Sequence, residues 1–158
     1  MSYSRINYFQ KILSEFQDTT EIPQEIIDQI LSEIGEYDKL NITVYRIGSI
    51  LNKLDLHQYR QHHLPAIIYR LHDVKPPIIS PEIKIKLKQM FQEIQEPFKE
   101  VCYPDRKNFL PFQYVLLKLI ELLDIDELKE KAMLLQNPII FNKYNTTWNN
   151  ICKILKWK

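Results

Sequence analysis

Residues 112–123 read Phe-Gln-Tyr-Val-Leu-Leu-Lys-Leu-Ile-Glu-Leu-Leu, and this stretch decides the fold. Its apolar residues occupy nearly every side of a helical turn, whereas a helix at the surface of a protein keeps one polar face. A membrane-spanning helix needs about 20 apolar residues, so this stretch is too short to be one. We therefore predict a helix that is buried at the centre of a helical bundle.

The rest of the chain repeats apolar residues at spacings of three and four, which is the pattern of amphipathic helices. No stretch alternates with the period of two that indicates a strand. The sequence thus predicts an all-α fold, a single compact bundle of about seven to eight helices. The helices are predicted near 4–17, 23–34 (after which Gly35 ends the helix), 43–54, 56–71 (bent at Pro65), 80–102 (kinked or split at Pro97), 112–123, 126–135 and from Thr146 or Thr147 onward, with Thr43 and Asp126 as caps.

One segment interrupts this pattern. Residues 74–79 read Val-Lys-Pro-Pro-Ile-Ile, and paired prolines exclude a helix and favour an extended, polyproline-like conformation. Ser80-Pro81-Glu82 then supplies an N-cap serine, a proline for the first helical position and an acid for the first turn. We expect one domain over residues 1–158 with an extended crossing near residues 74–80; a division into 1–73 and 80–158 is the alternative.

Composition excludes several classes of protein. The chain has two glycines against nine prolines, so neither a Gly-rich phosphate-binding loop nor a dinucleotide-binding motif can be built. The net charge of +1 also excludes a polycation. The charge is uneven, however, since residues 1–75 carry −2 and residues 76–158 carry +3. The last lysines, Lys153 and Lys156 among them, follow a stretch without acids from Lys131 on, which indicates either a nucleic-acid contact or a solvated helix face.

The residues that most often carry metal or catalytic chemistry are poorly placed for it. Cys102 and Cys152 have no near partner for a zinc site, so we expect buried, reduced thiols. His57, His62 and His63 are spaced so that they lie on different faces of a helix, and we predict a solvent-facing polar edge. We predict no enzyme activity, no metal, no cofactor and no small-molecule substrate; a hydrolase or nuclease with a convergent carboxylate site is a remote alternative.

Two surfaces are candidates for contact with a partner. On the predicted helix after Ser80, Ile85 falls opposite the core face, flanked by Lys84 and Lys88; it is either a docking contact or an isolated exposed isoleucine. The loop Asp105-Arg-Lys-Asn-Phe109 precedes the buried helix. There Arg106 and Lys107 could donate to phosphates, or Arg106 could bond carbonyls at the preceding helix end.

Several ordered motifs together resemble a known family. They are Lys75-Pro-Pro-Ile-Ile-Ser-Pro-Glu82, Gln89-Met-Phe-Gln-Glu-Ile-Gln-Glu-Pro-Phe98, Asp105-Arg-Lys-Asn-Phe-Leu110, Tyr114-Val-Leu-Leu-Lys118 and Trp148-Asn-Asn-Ile-Cys152, with Arg5-Ile-Asn-Tyr-Phe9 and Ile22-Pro-Gln-Glu25 near the start. In this order they are similar to the poxvirus late transcription factor 3-like family of large nucleocytoplasmic DNA viruses, over essentially the whole chain.

The resemblance implies a factor for viral late-gene transcription that works with the virus-encoded RNA polymerase or other late factors. Promoter DNA is the alternative partner; no membrane is expected. Family members carry a zinc-ribbon-like segment ahead of the helical region, and this chain has only two cysteines. Zinc is therefore expected only if such a segment precedes the chain, which would make it either the C-terminal domain of a longer protein or a shortened paralogue. The implied location is intracellular, in the host cytoplasm (a virus factory) or the nucleus, with packaging in the virion as a further alternative; the chain shows no signal peptide.

Overall fold

A computed structural model describes residues 2–35, 42–102 and 108–158, and within these ranges every regular element is helical. The all-α prediction is confirmed. In chain order the helices are α1 (Ser2–Phe16), α2 (Gln24–Ile34), α3 (Val44–Lys53), α4 (His57–His62), α5 (Leu64–Leu71), α6 (Pro81–Glu93), α7 (Gln95–Cys102), α8 (Phe112–Leu123), α9 (Asp126–Leu134) and α10 (Asn145–Leu155), with a 3-10 turn at Phe141–Tyr144.

The helix α8 lies at the centre of the bundle, as its sequence predicts. Its buried residues point to several sides of the helix, because α1, α6 and α9 all pack against it. They are Tyr114, Val115, Leu116, Leu117, Leu119 and Ile120. α10 packs against α7, and α3 packs against α5. Both cysteines are buried and neither is part of a disulfide bond, as expected.

The proline-rich segment is extended and crosses the end of α1. Pro77 and Ile79 are buried while Ile78 between them is exposed, which is the alternation of an extended chain lying on a core. The backbone N–H of Ile79 donates to Oε1 of Gln17, 2.9 Å away. The side chain of Ser80 then accepts from the N–H of Ile83 at the start of α6, so the predicted cap is confirmed. The division of the chain at this segment stays a prediction.

Two predicted helices are each divided in the structure, and both breaks precede a proline. The helix predicted over 56–71 breaks at His63, and Pro65 lies in the first turn of α5. The helix predicted over 80–102 breaks at Ile94, and Pro97 lies in the first turn of α7. A proline ring clashes with the preceding turn inside a helix but fits the first turn. A new helix therefore begins just before each proline.

The predicted caps are partly right. Thr43 caps α3 by accepting from the N–H of Arg46, and Gly35 ends α2 with a φ of 85° that suits glycine. The other two predicted caps are wrong, because α9 already includes Asp126 and α10 begins at Asn145. Acids in the first turn of a helix complement its dipole even where they do not cap it.

An aromatic cluster joins both parts of the chain. Phe91 on α6 stacks on Phe9 of α1, with ring centroids 4.2 Å apart, and lies 5.6 Å from the rings of Phe109 and Phe112. The guanidinium of Arg5 lies 4.6 Å from the Phe109 ring centroid.

Arg5 also donates to Oε1 of Gln95, 3.0 Å away. Gln95 is buried, and its amide donates back to the carbonyl of Phe91. Both ends of the amide are therefore bonded, which removes the cost of burying it.

The prediction that His57, His62 and His63 all face solvent is wrong for His63. His57 and His62 are exposed, whereas His63 is half-buried with its Nδ1 2.7 Å from Oδ2 of Asp18. Burial alone opposes the charged form of Asp18. The hydrogen bonds with His63 and Thr20 outweigh that effect and hold the pKa of the Asp18 carboxyl below its usual range. This pair joins the end of α1 to the start of α5.

Replacing Phe91 with alanine is expected to destabilise the fold by about 3–5 kcal/mol, since a fully buried ring and its stacking on Phe9 are lost. Urea unfolding followed by circular dichroism measures the change. The control is Tyr45→Ala, an exposed aromatic on α3 that should change stability by less than about 0.5 kcal/mol. Equal losses in both variants would contradict a core centred on Phe91.

The Asp18–His63 pair predicts a pH dependence of stability. Because the carboxyl pKa is lowered in the folded state from an ordinary value of 3.8, the charged form stabilises the fold above that pH, and the gain is lost as the pH falls further. The stability difference between the chain and Asp18→Asn should therefore be largest near neutral pH and shrink in acid. Urea unfolding across acid to neutral pH measures it, with Glu130→Gln, an exposed acid beyond the first turn of α9, as control. A difference that grows in acid would contradict this assignment.

Candidate functional site

The candidate residues from the sequence lie on two described helices. On α6, Ile85 is 64% exposed between the half-buried Lys84 and Lys88, so the predicted exposed position of this isoleucine is confirmed. Lys153 and Lys156 are exposed at the end of α10. Arg106 and Lys107 lie outside the described residues. A docking role for any of these side chains stays a prediction.

A groove that the sequence did not indicate lies beside α1. It has a volume of about 570 Å³, which is within the size range of binding clefts. We call it the α1–α4 groove, since α1 and α4 supply most of its polar wall. Its lining residues are Tyr8, Lys11, Glu15, Val44, Arg60, Gln61, His62, Leu64, Pro65, Gln113 and Leu135.

One wall of the groove is formed by the face of α1 that adjoins its core face. Phe9, Ile12 and Phe16 of α1 point into the core, and the adjoining face presents Tyr8 and Lys11. The Tyr8 ring is 47% exposed and meets Phe112 edge-on, with ring centroids 4.6 Å apart. The Lys11 ammonium lies 5.6 Å from the centroid of the Tyr8 ring. A partly exposed aromatic side chain that is fixed by packing is a typical binding contact.

The wall also contains one carboxylate, Glu15. Burial raises the pKa of the Glu15 carboxyl, and the nearby Lys11 and His62 oppose that shift. Nζ of Lys11 lies 3.6 Å from Oε2 of Glu15. The negative charge of Glu15 is thus already compensated within the groove by Lys11.

The facing wall carries an excess of positive charge. Arg60 of α4 lies across Gly48 of α3, where an added Cβ would come within 3.2 Å of its Nε. Within the described part of the chain, neither Arg60 nor His62 forms an ion pair with a carboxylate. The groove therefore offers the Arg60 guanidinium to an incoming anion.

A smaller, apolar recess of about 200 Å³ adjoins the groove. The two cavities share Val44, Gln113 and Leu135 in their linings, so they are neighbours; together we call them the depression, with a charged end and an apolar end. The lining residues of the recess are Val44, Pro111, Gln113, Tyr114, Leu135, Gln136, Asn137, Ile140, Phe141 and Tyr144.

Gln113 lies where the groove and the recess meet. Its Oε1 is buried and has no hydrogen-bond partner. Among the described residues it is the only buried side-chain oxygen or nitrogen that lacks one. Its neighbour Gln136 is satisfied, because the Gln136 amide donates to the carbonyls of Gln113 and Ala132. A buried acceptor without a donor costs free energy, and this one borders the depression.

Sequence reasoning missed this depression because its residues come from α1, α3, α4, α5, α8 and the region after α9. The one signal in the sequence was the polar segment His57–His63, which was interpreted as a solvated edge. Among the described residues no group of histidine, cysteine and acidic side chains could hold a metal ion. None of the described helices is long and apolar enough to cross a membrane.

The fold and this depression define an all-α domain with a mixed cationic and apolar cleft. The chain belongs to the family described as Poxvirus Late Transcription Factor VLTF3 like, whose sequence model matches residues 1–158. The family resemblance found in the motifs is thereby confirmed.

Curated relatives come from giant viruses and carry transcription-factor names. The chain is 35% identical to "Putative transcription factor R429" of Acanthamoeba polyphaga mimivirus, over 99% of this chain and 37% of that protein. It is 33% identical to "Putative transcription factor A494R" of Paramecium bursaria Chlorella virus 1, over 100% of this chain and 45% of that protein. The chain thus spans less than half the length of these two relatives. No match was found among solved structures.

The two glutamines at the depression give a matched pair of variants. Gln113→Met should raise stability by about 1 kcal/mol, because it removes the buried acceptor that lacks a donor. Gln136→Met should lower stability by about 1–2 kcal/mol, because the two hydrogen bonds from the Gln136 amide to the carbonyls of Gln113 and Ala132 are lost. Urea unfolding of the parent and both variants measures the differences. A loss of stability in Gln113→Met would show that its oxygen is satisfied in solution.

Proposed function

We propose that this domain supports viral late-gene transcription by binding a protein of the transcription machinery, either the virus-encoded RNA polymerase or another late factor. Membership of the family and the names of the relatives support a role in viral transcription. We further propose that the domain is not an enzyme, needs no cofactor of its own and acts inside the infected cell, in a cytoplasmic virus factory or the nucleus.

The exposed face of α6 is the feature that best supports a docking role. Leu87, Met90 and Phe91 of this helix are buried in the core, which fixes the helix rigidly. The opposite face presents Ile85, 64% exposed, and the half-buried Lys84 and Lys88 lie on the adjoining side. An apolar side chain on a rigid helix with cations around it suits a partner surface that is partly apolar and partly acidic.

Direct DNA binding is the alternative, and one observation favours it. Lys153 and Lys156 are exposed on a part of the chain that has no acids from Lys131 on. Non-specific DNA affinity grows with the number of phosphates that a protein neutralises. Two exposed lysines on a chain with a net charge of +1 supply little DNA affinity. In this alternative the domain would therefore contact DNA only while a partner protein holds it in place.

Two exposed isoleucines test the docking surface against the alternative. Ile85→Asp on α6 should reduce recovery of polymerase subunits or late factors with the tagged chain from infected cells at least about tenfold, because a charge at the centre of an apolar contact is strongly unfavourable. Ile154→Asp, which replaces a 46% exposed isoleucine between Lys153 and Lys156 on α10, should leave the recovery unchanged. Quantitative mass spectrometry of the purified complexes measures both.

Two results would contradict the proposal. One is a purification that recovers neither polymerase subunits nor late factors with the parent chain. The other is tight DNA binding by the isolated chain, with an affinity that falls steeply with salt and that Lys153→Glu abolishes; this would assign the function to DNA binding through α10.

A further inference from the structure

We infer that α6 binds an amphipathic segment of a partner protein whose acids all lie on one side. Apolar side chains of the segment cover Ile85, and two of its carboxylates pair with Lys84 and Lys88. On the other side of Ile85 the segment presents neutral or basic side chains toward Glu82 and Glu93. The inference rests on the proposed function in that the partner belongs to the transcription machinery, and it adds the charge pattern by which that partner is recognised.

The exposed face of α6 has an apolar centre and two unlike sides. Ile85 lies opposite the buried face of the helix. With about 100° of rotation per residue, Lys84 and Lys88 lie about 100° and about 60° to one side of it. The exposed Glu82 and Glu93 lie about 60° and about 80° to the other side. Ile85 therefore separates a basic side of the helix from an acidic side.

The two lysines of the basic side carry charge that the described part of the chain does not compensate. Lys84 and Lys88 are one helical turn apart, and neither forms an ion pair with a described carboxylate. Both are half-buried, and salt screens partly buried charges less than exposed ones. Like charges at positions i and i+4 of a helix repel each other. Two carboxylates placed against this side would remove that repulsion.

The acidic side is partly compensated by a cation of its own. Lys86 is exposed and lies about 100° from Ile85, on the side of Glu82 and Glu93. The two sides of α6 therefore differ in net charge, with two uncompensated cations on one and two acids with one cation on the other. A partner that binds both sides needs acids on one side of its apolar stripe only.

This arrangement favours a protein over a nucleic acid. Every nucleotide carries a phosphate, so a strand that covers this face brings negative charge to Glu82 and Glu93 as well as to the lysines. A protein segment carries acids only at certain positions and leaves the acidic side of α6 free of them. The 64% exposed side chain of Ile85 gains free energy when apolar groups cover it, and a phosphodiester backbone offers few of these.

Site-specific photo-crosslinking from the full chain identifies the segment. A benzophenone amino acid replaces Gln92, which is exposed and lies about 20° from Ile85 around the helix, so that no contact residue is changed. The tagged chain is irradiated in infected cells, and mass spectrometry of the cross-linked peptides gives the partner's sequence. We expect a segment of a polymerase subunit or late factor in which at least two acids lie beside apolar residues. The same probe at the exposed Asn149 on α10 is the control and should not capture this segment.

A fluorescently labelled synthetic copy of the captured segment then tests the charge pattern. Its affinity for the chain, measured by fluorescence polarisation, should fall at least about tenfold in Lys84→Glu and in Ile85→Ser. Lys86→Glu is the matched control, because it makes the same change of charge on the acidic side of the same helix; it should not lower the affinity. Exchanging one acid of the segment for lysine should restore binding to Lys84→Glu.

The loss of binding in Lys84→Glu is separable from a loss of folding. The substitution replaces a repelling pair with a glutamate four residues before Lys88, which is a favourable arrangement on a helix. The midpoint of urea unfolding should therefore not fall in this variant. Ile85→Ser changes an exposed side chain and should also leave the midpoint unchanged.

Three outcomes overturn the inference. The first is that the segments captured at Gln92 contain no acids beside their apolar residues. The second is that Lys84→Glu and Lys86→Glu weaken binding equally, which would show a general attraction to positive charge. The third is that a duplex or single-stranded oligonucleotide displaces the segment and is itself weakened by Lys84→Glu but not by Ile85→Ser, which would make α6 a nucleic-acid surface.

The failure of this inference differs from the failure of the proposed function. Purifications that recover polymerase subunits or late factors, combined with no segment captured at Gln92 or with any of the three outcomes above, would overturn only the charge pattern on α6. A captured segment that has the expected pattern and responds to the variants as expected, but that comes from a protein outside the transcription machinery, would overturn only the proposed function.

Discussion

The stacking of Phe91 on Phe9 is the contact on which the rest of the structure depends. It joins α1, at the start of the chain, to α6, which follows the proline-rich crossing, and both helices then pack against the apolar α8. Phe109 and Phe112 close the same cluster from the segment that leads into α8. Because these rings come from distant parts of the sequence, the cluster fixes how the helices are arranged, whereas helical periodicity fixes only which face of each helix is buried.

Both candidate surfaces are built on the outer sides of helices that this cluster anchors. α1 places Phe9 in the core, and its adjoining face supplies Tyr8 and Lys11 to the groove. α6 places Phe91 in the core and presents Ile85 to solvent. A binding side chain on an anchored helix loses little conformational freedom when it meets a partner, which favours affinity. The rigid core and the candidate surfaces are therefore two sides of the same helices.

The sequence predicts the helices and their buried faces well because both follow from local periodicity. The central position of α8, the extended crossing at Pro76-Pro77 and the caps at Thr43 and Ser80 all depend on residues within one turn of each other. What sequence reasoning missed involves contacts between distant residues. The burial of Gln95 depends on Arg5, and the position of His63 depends on Asp18. The groove has the same origin, since its walls come from segments that only the tertiary fold brings together.

The depression differs from the rest of the interior in the hydrogen bonding of its buried polar atoms. Elsewhere in the described ranges the buried polar side chains are satisfied: Gln95 bonds Arg5 and Phe91, Gln136 bonds two carbonyls, and Tyr69 donates to the carbonyl of Phe16. At Gln113 a buried acceptor is left without a donor among the described residues, close to an apolar recess and to Arg60, which forms no ion pair with a described carboxylate. The Gln113 oxygen is enclosed by the chain, so its cost falls on the fold itself and does not depend on what enters the depression. A methionine at position 113 would be less costly to bury, which is why the stability of Gln113→Met reports directly on this feature.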